Sequence, residues 1–274
     1  MSSWRVHRAA AVLPILTAVI CLVWMTGRPF SSVQPGNRSA TTGGEVPGSQ
    51  SRTGPPRLTQ AGLVRWVSVP ELPQELVILE SVFWEPADTE SLRRRILESG
   101  HLSGAHVLEI GTGSGLLSLC CLSAGAARVI ATDLNPAAID NVRENARLMG
   151  IEGRLDARLV PRRDPSAWSV VGRGERFDMI ISNPPWEDRR PESVSEFALY
   201  DPGFLLLRSL LSGVRERLRP GGRMWLAYGC RTAIEKIREL AVAEGLVCEL
   251  LDERRLEDLP ELFLPGMLIE LRLE

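Results

Sequence analysis

Asn183-Pro184-Pro185-Trp186 carries the most chemical content of any stretch in this chain. Two successive prolines lack N–H donors and fix φ, so the apolar run Phe177–Ser182 must end there as a strand. The Asn183 side chain and the neighbouring carbonyls are then held rigidly at the sheet edge. Such a corner suits a planar amino or amide nitrogen, which is a poor nucleophile because its lone pair is delocalised. The Asn183 side-chain oxygen and the Pro184 carbonyl can each accept one N–H, draw the nitrogen toward a nucleophilic shape and aim it at an electrophilic carbon. Trp186 is expected to stack on the flat face of that group. No metal and no strong base are needed, because the proton can leave after transfer. His7, His101 and His106 offer no base at a suitable place.

A second constellation lies upstream. Val107–Ile110 is strand-like, and Gly111-Thr112-Gly113-Ser114-Gly115 follows as a tight turn into a helix. Glycine permits positive φ and close approach of a ligand to the backbone, and a helix N-terminus offers free N–H groups. By itself this fits a plain connection. Asp133, at the end of the next strand and 22 residues after Gly111, adds a carboxylate that can accept both ribose hydroxyls of an adenosyl ligand. The glycines follow G-x-G-x-G rather than the G-x-G-x-x-G of pyrophosphate-binding loops, and the acid Glu109 precedes them. A carboxylate there would repel a pyrophosphate but tolerates a cationic ligand. Glu109 also suits a structural role, anchoring the loop backbone.

The elements that position these groups follow from punctuation and period. Strands are expected at Ala105–Ile110, Arg128–Thr132, Phe177–Ser182, Arg223–Tyr228, Leu246–Leu251 and Met267–Leu273, with a further strand at Val77. After Asn135 as N-cap and Pro136, Ile139, Val142, Ala146 and Met149 recur at helical spacing until Gly150. A second helix is expected from Pro202 to Leu218, ending at Pro220-Gly221-Gly222, and a third from a Thr232/Glu235 capping box to Gly245. Alternating strand and helix imply a mostly parallel α/β sheet with helices on both faces and ligands beyond the carboxyl ends of its strands.

The glycine loop with Glu109 and Asp133 resembles the class I S-adenosylmethionine-dependent methyltransferases. Asn183-Pro184-Pro185-Trp186 is similar to the Asn/Asp-Pro-Pro-aromatic branch, which modifies exocyclic amines of adenine or guanine and the glutamine side-chain amide. Within Phe83–Leu92, Pro86, Asp88, Thr89 and Glu90 match the Pro-Arg-Pro-Asp/Glu-Thr-Glu-x-Leu segment of HemK-type protein-(glutamine N5) methyltransferases, whereas Glu85 and Ala87 depart from it. Asp88 or Thr89 also suits the N-cap of the helix that follows. The resemblance covers roughly residues 80–230. It implies a Rossmann-like seven-stranded sheet, mostly parallel, with an antiparallel edge hairpin. It implies S-adenosyl-L-methionine as cofactor, held by Glu109, Gly111, Thr112, Gly113, Gly115, Asp133, Leu134, Asn183 and Thr89, with Asn183, Pro184, Pro185 and Trp186 at the reaction. The adenine contact after the third strand is left between Asp156 and Asp164. Tyrosine is usual where this chain has Trp186, and about 15 residues before the Val77 strand leave no room for the family's N-terminal helical domain.

The implied acceptor is a protein glutamine, with an RNA or DNA exocyclic amine as the alternative and a non-catalytic cofactor-binding membrane scaffold as a third reading. Charge bears on the choice. Residues 1–60 carry six Arg and one Glu, while residues 61–274 carry 26 basic against 33 acidic residues. An acidic body holds long nucleic acid poorly through phosphates, though Arg93–Arg95, Arg162-Arg163 or Arg189-Arg190 would help if clustered. Five cysteines show no CxxC spacing, so neither a zinc site nor a disulfide scaffold is expected. Residues 1–30 contain a run of 19 consecutive uncharged positions, Ala9 to Gly27, long enough as a helix to cross a bilayer. An uncleaved anchor is expected, against a cleaved signal or a start-site artefact. In residues 31–60, 18 of 30 positions are Gly, Pro, Ser or Thr, a flexible tether. Residues 61–274 form the methyltransferase-like domain, expected on the cytoplasmic side because the implied methyl donor is cytosolic.

Overall fold

The computed structural model describes residues 63–274. The candidate anchor and the tether lie outside them, and among the described residues no helix is long and apolar enough to cross a membrane. β1 (Leu63–Val67) and β2 (Leu76–Leu79) pair antiparallel as a separate two-stranded sheet. A 3₁₀ turn, Pro86–Thr89, leads into α1 (Glu90–Glu98). Then come β3 (His106–Ile110), α2 (Leu116–Ser123), β4 (Arg128–Asp133), α3 (Pro136–Leu148), β5 (Leu155–Leu159) and β6 (Phe177–Ser182). The chain closes with α4 (Leu205–Arg217), β7 (Leu218–Cys230), α5 (Arg231–Ala243), β8 (Leu246–Leu250) and β9 (Leu262–Leu273).

β3 to β9 make one seven-stranded sheet in the order β5-β4-β3-β6-β7-β9-β8, parallel except for β9, which runs antiparallel to both neighbours. The order reverses between β3 and β6. Connections therefore leave in opposite directions there and open a crevice at the carboxyl ends of those two strands. Burial on both faces explains why the central strands read as continuous apolar runs. Leu108 and Ile180 face one core layer with Leu207, Leu210, Ile234 and Ile237 of α4 and α5. Val107, Met179 and Ile181 face the other, with Leu92, Ile96, Leu119 and Cys120 of α1 and α2.

Asn135 caps α3 as expected, its Oδ1 accepting the Ala137 N–H at 3.0 Å with Pro136 in the first turn. The polar stripe of that helix has a second use. Asn145 is fully buried; its Oδ1 accepts the Val77 N–H at 2.7 Å and its Nδ2 donates to the Val77 carbonyl at 3.0 Å. Asn141, also fully buried, accepts the Leu79 N–H at 2.8 Å and donates to the Ser114 carbonyl at 2.8 Å. Two amides thus stand in for a neighbouring strand along β2 and fasten the glycine loop to the same helix.

Three local expectations are corrected. α4 begins at Leu205 rather than Pro202, because Gly203 and Phe204 adopt left-handed φ of 66° and 53° and turn the chain first. β7 starts at Leu218 and runs through Pro220-Gly221-Gly222 instead of starting at Arg223. The extra residues form an irregularity between the Phe177–Leu218 and Met179–Arg223 pairs, where a Cβ on Gly222 would lie 3.0 Å from the Phe177 carbonyl oxygen. Thr232 lies inside α5 and forms no capping box with Glu235; its N–H donates to Glu261 Oε1 at 3.1 Å. That cap comes from 29 residues away, beyond any local signal.

Candidate active site

The rim at the crevice is cross-tied by hydroxyls. Ser182 Oγ donates to the Ile110 carbonyl at 2.6 Å and Thr132 Oγ1 to the Glu109 carbonyl at 3.1 Å. The N–H groups of Gly111 and Thr112 both reach the Thr132 carbonyl at 2.9 Å. The ends of β3, β4 and β6 are thereby fixed to one another, and a cavity of about 430 Å³ opens above them. That volume lies within the range of small-molecule sites.

At one end the cavity is walled by Gly111, Thr112, Gly113, Asp133 and Leu134. Gly113 has φ of 52°, and a Cβ there would meet nothing within 4 Å, so its backbone faces free space a ligand can enter. Its N–H donates to Asp133 Oδ2 at 2.8 Å, while the Asn135 N–H reaches Oδ1 at 2.8 Å. Burial raises the Asp133 carboxyl above its ordinary range against these backbone donors. Each oxygen keeps a second lone pair for a ligand hydroxyl.

Glu109 is buried in β3 and lines the same cavity. Its Oε2 accepts the Thr112 hydroxyl at 2.7 Å, the Ser118 N–H at 3.1 Å and the Ser118 hydroxyl. Its Oε1 is buried without a partner. The structural role is thus seen directly, one oxygen holding Thr112 and Ser118, while the other has no hydrogen-bond partner. Burial pushes its carboxyl up to about 7, against the Ser118 and Thr112 hydrogen bonds.

Gly115, expected to touch the cofactor, does not line the cavity. Its φ is 85°, and a Cβ would come within 2.6 Å of Val142 Cγ2. It is glycine because α2 packs against α3 there, an interhelical demand that a G-x-G-x-G pattern cannot separate from ligand contact.

The same cavity is lined by Asn183, Pro184 and Pro185, with Pro86 and Thr89 from the upstream turn. Asn183 thus faces the cleft that Gly113 and Asp133 border, and its Oδ1 is buried without a partner. Glu85, a departure from the family segment, caps this turn by accepting the Ala87 N–H at 3.2 Å. Thr89 occupies the N-cap of α1 but makes no side-chain capping bond; its hydroxyl accepts from Arg93 Nη1 at 2.8 Å.

Trp186 is the second correction. It is absent from the cavity wall, and its ring lies where a Cβ on Gly229 of β7 would be, with Cζ3 at 2.5 Å. Aromatic wall on the cavity comes instead from Phe83, Trp84, Phe197 and Tyr200. Of the two candidate acids after β5, Asp156 is bound to Arg128 at 2.7 Å and Arg158 at 2.8 Å, whereas Asp164 lines the cavity. Ser195, Phe197, Tyr200 and Asp201 were not anticipated. They lie on a stretch without periodicity that is folded back by the Asp201 N–H to the Glu187 carbonyl at 2.8 Å. Asp201 alone left a signal, as an acid ahead of an apolar helix: it accepts the N–H groups of Leu206 at 2.9 Å and Leu207 at 3.0 Å.

Sheet order and the crevice at its reversal are those of the class I S-adenosylmethionine-dependent methyltransferase fold. Residues 88–184 match the family described as Ribosomal protein L11 methyltransferase (PrmA). A Release factor glutamine methyltransferase of Cereibacter sphaeroides is 36% identical over 154 residues, 52% of each chain. One from Xylella fastidiosa is 32% identical over 185 residues, 63% of this chain and 64% of its own. The chain spans about half to just under two thirds of the length of these relatives. Among solved structures, the 16S rRNA N2 G1207 methyltransferase (RsmC) of T. Thermophilus, in complex with AdoMet and guanosine, shares the fold at a TM-score of 0.52 and 20% identity, over 79% of this chain and 52% of that one. By fold the described domain is a class I methyltransferase domain, and by sequence it is similar to the release factor glutamine methyltransferases over roughly half to two thirds of their length.

Proposed function

We propose that this chain is an S-adenosylmethionine-dependent methyltransferase acting on a planar amide nitrogen, first of all that of a protein glutamine side chain. The observation that carries the reading is the buried, unpartnered Asn183 Oδ1 on the same cavity as Gly113 and Asp133. A buried acceptor without a donor is costly and is kept where a ligand supplies one.

The residues present fit the cofactor. Asp133 suits the ribose hydroxyls, the open backbone at Gly113 admits close approach, and the orphan Glu109 Oε1 suits the ammonium of the amino-acid end. The cofactor's sulfonium supplies the methyl group, with the N–C bond forming as the S–C bond breaks. Asn183 Oδ1 and the Pro184 carbonyl accept the two N–H groups of the amide, so that its nitrogen points along the transfer line and sheds a proton to solvent after transfer. The named activity of the relatives supports glutamine as the acceptor.

The test is incubation of the full chain with radiolabelled S-adenosylmethionine, followed by separation of protein, RNA and small-molecule fractions. Label in protein, released as N5-methylglutamine, is the expected result. Label confined to RNA would replace the reading with exocyclic-amine transfer, and cofactor binding without any transfer would leave a non-catalytic binding protein. Because the methyl donor is cytosolic, we place the domain on the cytoplasmic side, with residues 9–27 as its anchor; protease access from each side of the membrane tests this.

A further inference from the structure

We propose that Phe197 is a specificity-determining residue of this site: its ring, on the exposed lip of the cavity, is the face against which the planar acceptor group of a protein segment is laid. This rests on the amide-transfer reading above.

Trp186, expected to supply that face, is packed on Gly229 away from the cavity wall. Of the four aromatic side chains that do line the cavity, three are engaged or placed elsewhere. Trp84 packs against two core layers. Phe83 stands two residues from Ser81, whose carbonyl accepts from Asn135 Nδ2 at 2.9 Å, so it enters at the Asp133 end. Tyr200 is 6% exposed, and the Arg189 guanidinium lies over its ring at 4.6 Å from the centroid. Phe197 packs in none of the described core layers and is 41% exposed. Six large apolar side chains are exposed among the described residues; Phe197 is the one aromatic and, with Leu205, one of the two that line the cavity. Apolar surface held open at the rim of a polar site marks a place where something binds.

The backbone sets Phe197 on the side of the reaction corner. The Glu187 N–H donates to the Leu199 carbonyl at 3.2 Å and the Asp201 N–H to the Glu187 carbonyl at 2.8 Å, so the chain at 199–201 runs beside a residue only three beyond Pro184. Ser195–Ala198 forms a 3₁₀ turn, braced by the Phe197 N–H to the Val194 carbonyl at 3.3 Å and the Tyr200 N–H to the Glu196 carbonyl at 3.0 Å. Glu196 Oε2 accepts the Glu192 N–H at 2.6 Å and closes that turn. A primary amide carries its two N–H donors in its plane, so its flat face can lie on a ring while Asn183 Oδ1 and the Pro184 carbonyl take its edge.

Charge selects the kind of acceptor. Residues 187–201 carry five acidic and two basic side chains. One of the two, Arg189, is spent on Tyr200, donating to its hydroxyl at 3.2 Å. Such a lip repels a phosphate backbone, which leaves a segment of protein as the occupant.

The test uses the full chain, radiolabelled S-adenosylmethionine and a purified release factor as acceptor, and compares wild type with Phe197→Ala, Phe197→Leu and Phe197→Tyr. In Phe197→Ala the acceptor KM is expected to rise about three- to tenfold, the usual weight of an aromatic contact. The Kd for S-adenosylmethionine and the Tm are expected to stay at their wild-type values, because the ring is exposed and distant from the Asp133 end. Phe197→Tyr keeps the ring and should restore the acceptor KM, whereas Phe197→Leu keeps apolar area without a flat face and should not. A wild-type acceptor KM in Phe197→Ala or in Phe197→Leu overturns the proposal and leaves the amide-transfer reading standing. A rise in acceptor KM accompanied by equal losses in donor affinity and Tm marks a structural ring and overturns it as well. Label confined to RNA, or no transfer by the wild type to any fraction, overturns the amide-transfer reading and the proposal together, and is told apart because the wild type itself then fails.

Discussion

The N–H of Gly113 donates to Oδ2 of Asp133 at 2.8 Å, joining the loop after β3 to the end of β4. The acid expected to hold a ribose is thus also a strut for the glycine loop. Asp133→Ala removes both functions, leaving the Gly113 and Asn135 donors unpaired. The expected outcome is a cofactor Kd at least ~10-fold weaker by calorimetry, with a loss of roughly 1–3 kcal/mol in stability. Asp133→Asn keeps an acceptor and should lose less stability than affinity.

Gly113 and Gly115 should lose stability for different reasons. Gly113→Ala meets open space at φ of 52°, so it costs roughly 1–2 kcal/mol of backbone strain and a larger share of cofactor affinity. Gly115→Ala drives a methyl to within 2.6 Å of Val142, and an additional ~1–3 kcal/mol of overpacking is expected. Thermal unfolding checks both, and Val142→Ala should restore part of the Gly115→Ala loss but none of that of Gly113→Ala.

Glu109 gives the unliganded protein a pH signature. Its carboxyl moves from an ordinary 4.5 to about 7, so the folded state binds a proton that the unfolded state has already released between those values. Stability is highest below the lower value and falls as pH rises through the upper one, by on the order of 3 kcal/mol. Asp88 adds a slope of the same sign. Glu109→Gln, which keeps an acceptor for Thr112 and Ser118, should flatten the Tm-against-pH curve between pH 5 and 7.5. An unchanged slope would remove Glu109 as its source.

Trp186 and Asn183 separate packing from chemistry. Asn183→Ala should lower kcat by roughly 100- to 1,000-fold, the usual loss for a preorganised polar contact at a reacting group. Trp186→Phe, at a ring packed on Gly229 whose Nε1 has no partner, should lower Tm by a few degrees while kcat stays within a few-fold. A collapse of kcat in Trp186→Phe would return the ring to the acceptor face.

Asn145→Ala strips the Val77 N–H and carbonyl of the side-chain partner they share, and a loss of roughly 1–3 kcal/mol is expected. Hydrogen exchange at Val77 and Leu79 should rise with it, because β2 is fastened to α3 through these amides.

The amino-acid sequence by itself determined the elements and the identity of the two corners. Asn135-Pro136, the two prolines after Asn183 and the glycines after Ile110 act on their own backbone, and a local steric rule reads the same in any context. The alternation implied a mostly parallel sheet with its ligands beyond the carboxyl ends of the strands, which puts Gly113, Asp133 and Asn183 on one rim, whereas the strand order itself is visible only in the fold. What Gly115, Trp186 and Thr232 do was decided only by tertiary structure. Each owes its role to a residue far along the chain, Val142, Gly229 and Glu261 respectively. A pattern of spacing records that a glycine or an aromatic is needed, but the contact that requires it exists only once the sheet has closed.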